Sequence, residues 1–196
     1  MPADWAVRHA RARFDVRVST ASSPGAASTV SLMVVSGRPG TGKTTLAKAV
    51  ARRRRSCYLR VDAAETALAR MGLQVSVEGY AVVHELAVSN FLLGIDVVVD
   101  AVNPVPEARA GWHEAAARAG AELMQVETCL PDPAEHRLRV EARKADMPGQ
   151  LVPSWAQVEG QEWSPWDEKR DGPRTLIETT DARRALAALL AITGPC

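Results

Sequence analysis

Between Val35 and Ala49 the chain reads VSGRPGTGKTTLAKA, and its Gly37-x4-Gly42-Lys43-Thr44 spacing suits a loop that wraps phosphate. Glycines let successive backbone N–H groups turn inward around an anion. A helix opening at the end of the loop adds the positive end of its dipole. Lys43 can reach the β- and γ-phosphates of a nucleotide, and the Thr44 hydroxyl can ligate Mg²⁺, which prefers oxygen. Gly37, Arg38, Pro39, Gly40, Thr41, Gly42, Lys43, Thr44 and Thr45 are therefore the candidate nucleotide-binding residues. A buried strand before the loop and a helix after it supply the context the motif requires.

Other residues bear on what is done with the phosphate. Asp100 closes an apolar run, as a Walker-B carboxylate does, and is a second candidate Mg²⁺ ligand; a cap for the turn before Asn103-Pro104 is the simpler alternative. Asp62 closes another strand, where a carboxylate could take a proton from an attacking hydroxyl; it equally suits an N-cap for a helix starting at Ala63. HRLRVEARK, from His136 to Lys144, is basic, and Arg139 and Arg143 lie four apart on one predicted helix face. With Arg137, they are candidates for binding phosphate as a lid closes, and Glu141 reads as their partner. Tyr80, His84 and Asn90 are candidates for an acceptor pocket, though packing explains each of them as well. The same holds for Trp155, Trp163 and Trp166.

These residues need elements to carry them. Val30–Ser36, Ser56–Asp62, Ile95–Val102, Ala121–Cys129 and Arg174–Thr180 read as strands. Thr44–Arg54, Ala63–Met71, Glu78–Gly94, Pro106–Ala119, Ala134–Lys144 and Asp181–Ile192 read as helices, the last with Asp181 as N-cap. Pro148–Pro173 reads as irregular. Alternation of this kind predicts an α/β fold, a parallel sheet covered by helices on both faces. Ligands in such sheets bind beyond the C-terminal strand ends, which would bring Gly37, Asp62 and Asp100 to one crevice.

Composition sets the limits. With 196 residues, 46% of them apolar, the chain can bury one sizeable core, and a net charge of +1 gives no general pull toward nucleic acid or an anionic membrane. No apolar run approaches the roughly 18 residues of a membrane span. Cys57, Cys129 and Cys196 form no disulfide or metal pattern, so a reducing cytoplasm is expected. Residues 1–18 read as a short arm and STASSPGAAST, Ser19 to Thr29, as a linker, with the compact domain over 30–196.

GRPGTGKTT, LRVD, EGY, VVVDAVNPVPEARAGW and HRLRVEAR together resemble the small P-loop kinases that include chloramphenicol phosphotransferase, gluconate kinase and the zeta toxins, an AAA-33-like P-loop NTPase group. The resemblance spans about Val30 to Val158. It implies a three-layer α/β/α fold with a five-stranded parallel sheet in the order 2-3-1-4-5, a helical lid over about 134–150, Asp62 as general base and lid arginines on phosphate. Many relatives carry Arg three residues after the base, where this chain has Glu65. That change disfavours a phosphorylated acceptor and favours a neutral or cationic one, and it adds Glu65 to the substrate candidates Asp62, Tyr80 and His84. The expected activity is transfer of the γ-phosphate of ATP or GTP, with Mg²⁺, to a hydroxyl of a sugar, nucleoside or antibiotic; the last would mean resistance by phosphorylation. A polynucleotide 5′-kinase and a non-transferring nucleotide switch are the alternatives. The first lacks a basic-aromatic track and the second lacks an N-K-x-D motif. A small-molecule partner is thus expected, with no membrane and no nucleic acid.

Overall fold

A computed structural model describes residues 30–193, so the arm and linker expected over 1–29, and Cys196, lie outside the described residues. Five strands alternate with helices: β1 Ser31–Ser36, α1 Lys43–Arg54, β2 Cys57–Arg60, α2 Val61–Arg70, α3 Glu78–Phe91, β3 Val97–Asp100, α4 Pro106–Ala119, β4 Glu122–Cys129, α5 Pro133–Glu141, α6 Trp155–Glu159, α7 Glu168–Asp171, β5 Thr175–Glu178 and α8 Ala182–Thr193. All strand pairs are parallel and the sheet order is β2-β3-β1-β4-β5, as the resemblance implied.

Side chains of a strand alternate between the two faces of a sheet. Accordingly Leu32 and Val34 of β1 join Val97 and Val99 under α3 and α4, where Val83, Phe91 and Trp112 close one core. Met33 and Val35 face the other way and join Val98, Val126 and Ile177 under α1 and α8, with Leu46, Val50 and Leu189. Two dry layers thus hold the strand ends in fixed register, with Asp100 opposite both Val35 and Arg60. Among the described residues no helix is long and apolar enough to cross a membrane.

The sequence-based boundaries move at three functionally relevant places. β2 stops at Arg60 and α2 starts at Val61, so Asp62 lies inside the first helical turn and neither ends a strand nor caps a helix. α5 ends at Glu141, because Ala142 and Arg143 close its last turn onto Leu138 and Val140 carbonyls. The stretch read as irregular contains α6, opened by a Ser154–Gln157 capping box, and α7. Asp181 does cap α8, Oδ1 accepting from the N–H groups of Arg183 and Arg184.

Arg109 of α4 holds the segment before β5. Fully buried, it donates to the Ser164 and Pro165 carbonyls and, at 2.8 Å, to Asp171 Oδ2, under the ring of Trp166. Such a buried pair is retained only when its remaining donors are also satisfied, as these are.

Candidate active site

The loop after β1 is held from behind. Thr41 Oγ1 donates to the Arg38 carbonyl at 2.8 Å, Thr128 of β4 donates to the Ser36 carbonyl at 2.9 Å, and His136 Nε2 donates to the Pro39 carbonyl at 2.8 Å. Two glycines are required sterically. A Cβ on Gly37 (φ 143°) would stand 2.3 Å from Thr128 Oγ1, and one on Gly40 (φ 88°) would stand 2.5 Å from Val140 Cγ2. The N–H groups of Gly40, Gly42, Lys43, Thr44 and Thr45 find no acceptor among the described residues. Five unmet donors in the loop and first turn of one helix N-terminus suit an anion. Arg38 does not point into it: its guanidinium bonds the Val158 carbonyl and stacks over Trp163.

Lys43 is 3% exposed, and burial holds its pKa below the ordinary lysine value while Asp100 and Asp62 pull it back up. Asp100, 1% exposed, accepts from the Tyr58 hydroxyl at 2.9 Å and lies 3.7 Å from Arg60 Nε. Burial and then Asp100 raise the Tyr58 pKa, so the phenol stays a donor. Asp100 Oδ1 is buried with no hydrogen-bond partner. An orphaned carboxylate oxygen whose charge acts on Lys43 of the loop fits a hard cation. Among the described residues no three His, Cys, Asp or Glu gather as a metal cage.

Asp62 is the junction of the site. Its Oδ2 accepts from Arg60 Nη2 at 3.1 Å and Gln150 Nε2 at 3.5 Å, and lies 3.5 Å from Arg143 Nη2. Its Oδ1 accepts no hydrogen bond among the described residues. Arg143, although past the end of α5, still lines the hollow over the loop with Arg139, Lys43 and Thr44. The Arg139 guanidinium is held through Nη1 by the Thr179 carbonyl and through Nη2 by the Thr180 carbonyl and Glu135. Arg137 pairs with Glu141 on the exposed side of the helix and does not line that hollow.

Three hollows run together along the strand ends. The first, about 380 Å³, lies over the loop. The second, about 330 Å³, shares Lys43 and Arg143 with it. The third, about 510 Å³, shares Asp62 and Glu65 with the second and is walled by Val61, Tyr80, His84 and Val105. Burial, then Asp62, pushes the Glu65 carboxyl up to about 7. Tyr80 accepts the Asn103 N–H at 3.0 Å, and burial keeps His84 below the ordinary histidine pKa, its ring edge-on to Trp112 at 4.2 Å.

Asn90 returns its amide to the Leu86 carbonyl and lines none of these hollows. Trp155 packs on His136, and Trp166 stacks on Arg109 and Arg174. Sequence reasoning missed Arg60 and Gln150, which bond Asp62, and Asp146, which holds Arg60. A charged residue ending an otherwise apolar strand was the available signal for Arg60 alone.

A family model described as an AAA domain matches residues 32–159. Among curated proteins none matches the chain. Solved structures do share the fold. A protein from Chloroflexus aurantiacus provisionally named a kinase gives a TM-score of 0.65 at 20% identity, over 82% of this chain and 97% of its own. A gluconokinase from Sinorhizobium meliloti gives 0.55 at 20% identity, over 83% and 93%. An APS kinase from Mycobacterium tuberculosis, in complex with AMPPNP and APS, gives 0.57 at 19%, over 85% and 99%.

Proposed function

We propose that this chain, a member of the AAA domain family over residues 32–159, is a phosphotransferase that moves the γ-phosphate of ATP or GTP to a hydroxyl of a small molecule. The observation that carries the reading is the position of Asp62, on the wall shared by the 510 Å³ cavity and the hollow bounded by Lys43 and Arg143. A hydroxyl in the cavity can meet Asp62 Oδ1, the oxygen left without a partner, while the arginines grip Oδ2.

In the proposed step Asp62 takes the hydroxyl proton, the acceptor oxygen bonds to the γ-phosphorus, and the bond to the β–γ bridging oxygen breaks, releasing the nucleoside diphosphate. The N–H cradle and Lys43 hold the β- and γ-phosphates. Arg143 and Arg139 face the charge that spreads over the transferring oxygens. Thr44 and Asp100 would hold Mg²⁺, which supplies charge neutralisation on the phosphate oxygens. An apolar recess of about 270 Å³ between Leu46, Ala49, Leu186 and Arg139 suits the nucleobase. Residues 134–150 act as the lid, with Arg139 and Arg143 as its phosphate contacts and Arg137 outside it functionally. The kinase neighbours, one of them holding AMPPNP, support ATP and a small acceptor. A cytoplasmic location follows from the donor.

The test is nucleotide-diphosphate release on a panel of sugars, nucleosides, amino alcohols and antibiotics, with ³¹P detection of the product. Acceptor-dependent release that Asp62→Asn abolishes supports the reading. Release at the same rate with and without every acceptor, by a chain that binds nucleotide, points instead to a switch.

A further inference from the structure

Charge divides sharply along the crevice. Over the loop the lining charges are Lys43, Arg139 and Arg143, with no carboxylate among them. In the 510 Å³ cavity they are Asp62, Glu65 and Glu107, with no Lys or Arg. The arginines that hold Asp62 come from Arg60 and from the lid side, so they leave the cavity itself uncompensated.

Glu65 is the informative member. It is half-buried, forms no ion pair and accepts no hydrogen bond among the described residues, and the neighbouring Asp62 charge further disfavours its ionised form. Its stem lies flat on α3: a Cβ on Gly79 would stand 2.4 Å from Glu65 Cγ. That glycine makes the room in which the carboxyl sits. A desolvated, unpaired carboxylate beside another carboxylate is unfavourable, and a ligand that supplies a cation removes the penalty. The rest of the cavity is mostly apolar or aromatic, through Val61, Val77, Tyr80, Ala81, Val102 and Val105, with Ser76, His84 and Gln161 as its uncharged polar members. An anionic acceptor would face three carboxylates, which amounts to discrimination by repulsion.

We propose that the acceptor is a hydroxyl compound carrying a protonated amine and an apolar body, with its ammonium on Glu65 and its hydroxyl at Asp62 Oδ1. This rests on the phosphotransferase reading and narrows it to one acceptor class. It also sets the chain apart in chemistry from kinases of sugar acids or phosphorylated acceptors.

The full chain is assayed with Mg-ATP on matched probes. These are glucosamine, N-acetylglucosamine and glucuronate, and 2-amino-1-phenylpropane-1,3-diol with its N-acetyl derivative. The amine of each set should exceed its neutral counterpart by about 30-fold in kcat/KM, the scale of one charge-assisted hydrogen bond. Glu65→Gln should reduce that ratio to about threefold or less, and Glu65→Asp should keep more of it than Glu65→Gln does. Equal or better turnover of the neutral or anionic probes overturns the amine while leaving the phosphotransferase standing. An unchanged amine preference in Glu65→Gln overturns the assignment to Glu65. Turnover of no probe by a chain whose melting temperature rises with ATP counts against the phosphotransferase reading, and the amine falls with it.

Discussion

Arg60 Nη1 donates to both carboxylate oxygens of Asp146, at 2.9 and 2.8 Å, and so ties the end of β2 to the segment after α5. The pair closes a ring. Arg60 Nη2 and Gln150 Nε2 both reach Asp62 Oδ2, and the Asp146 N–H donates to Gln150 Oε1 at 3.1 Å. Lys48 of α1 adds a third tether to Asp146, at 3.1 Å. The segment carrying Arg143 is thus anchored to the residue proposed as base.

Asp146→Ala should cut that anchor and leave the buried Arg60 with one partner fewer. The expected loss is about 1 kcal/mol of stability, since Asp146 is itself well exposed. Proteolysis between residues 142 and 153 should quicken without nucleotide. In an Arg60→Met background the same change should have almost no further effect. Additive losses in that double-mutant cycle would show that the two side chains do not act together.

Lys43 sits buried among the donors of the phosphate cradle, and burial dominates its environment. Lys43→Met removes a cation that costs desolvation in the free chain and stabilises charge only with phosphate present. Transfer should fall by about 10²-fold or more, as for other preorganised contacts. The melting temperature should not fall. A variant that turns over normally would take the loop out of the mechanism.

The orphaned Asp100 Oδ1 and the Thr44 hydroxyl are the proposed Mg²⁺ ligands. Excess EDTA should abolish transfer. Asp100→Asn should weaken nucleotide binding by about 10- to 100-fold with Mg²⁺ and far less without it, measured by titration calorimetry. Equal weakening in both conditions would mean that Asp100 acts only through Tyr58 and Arg60.

The loop and the alternation of elements are legible in the sequence because each is local: a motif of nine residues, strands marked by apolar runs, helices by their period. What surrounds Asp62 is not. Gln150 meets it across 88 residues, Asp146 meets Arg60 across 86, and Arg109 finds Asp171 across 62. No spacing rule reaches that far. The sequence pattern places Asp62 at a strand end because Val61, a strand-forming residue, extends the apolar run, whereas in the structure Val61 begins α2. Arg139 and Arg143 do line one hollow, but Arg143 reaches it from beyond the helix, past the point where the shared-face argument applies. In the sequence Glu65 stands out only as a departure from the family resemblance; that it has no partner among the described residues shows only once α3 is packed against it.

Glu65 gives the chain a pH signature. Its carboxyl is raised from 4.5 to about 7 in the folded state, burial first and Asp62 second. A raised carboxyl favours folding while protonated. Its contribution is therefore complete below about pH 4.5 and is lost as pH rises through about 7. Glu65→Gln should match the wild type near pH 4.5 and be more stable at pH 8. Because the group is partly solvated, the gain should be about 1 kcal/mol, less than the full shift would give. Denaturant melts at the two pH values decide this. A variant no more stable at pH 8 means that Glu65 is already compensated, and the argument for a cationic acceptor weakens with it.

Asp62 is proposed as the general base, and the geometry separates its two oxygens. Oδ2 is held by Arg60, Gln150 and Arg143, while Oδ1 has no partner among the described residues, and Asp62 lines the cavity. Asp62→Asn keeps the shape but removes the charge, so the amide must present one edge to two guanidinium groups. The fold should survive, since Arg60 retains Asp146. Nucleotide affinity should hold within about threefold, and transfer should fall by roughly 10²-fold, the usual range for acid–base groups. Phosphoryl transition states are often loose, so a base contributes less than the cations do, and Lys43→Met should cost at least as much. The split matters: lost kcat at constant nucleotide affinity marks a group that acts on the acceptor, whereas a joint loss of both marks a residue that only positions Arg143. If Asp62→Asn transfers phosphate at near wild-type rate, the carboxylate is a tether for the arginines. The proton must then leave to Glu65, the other carboxyl that borders both the cavity and the phosphate side.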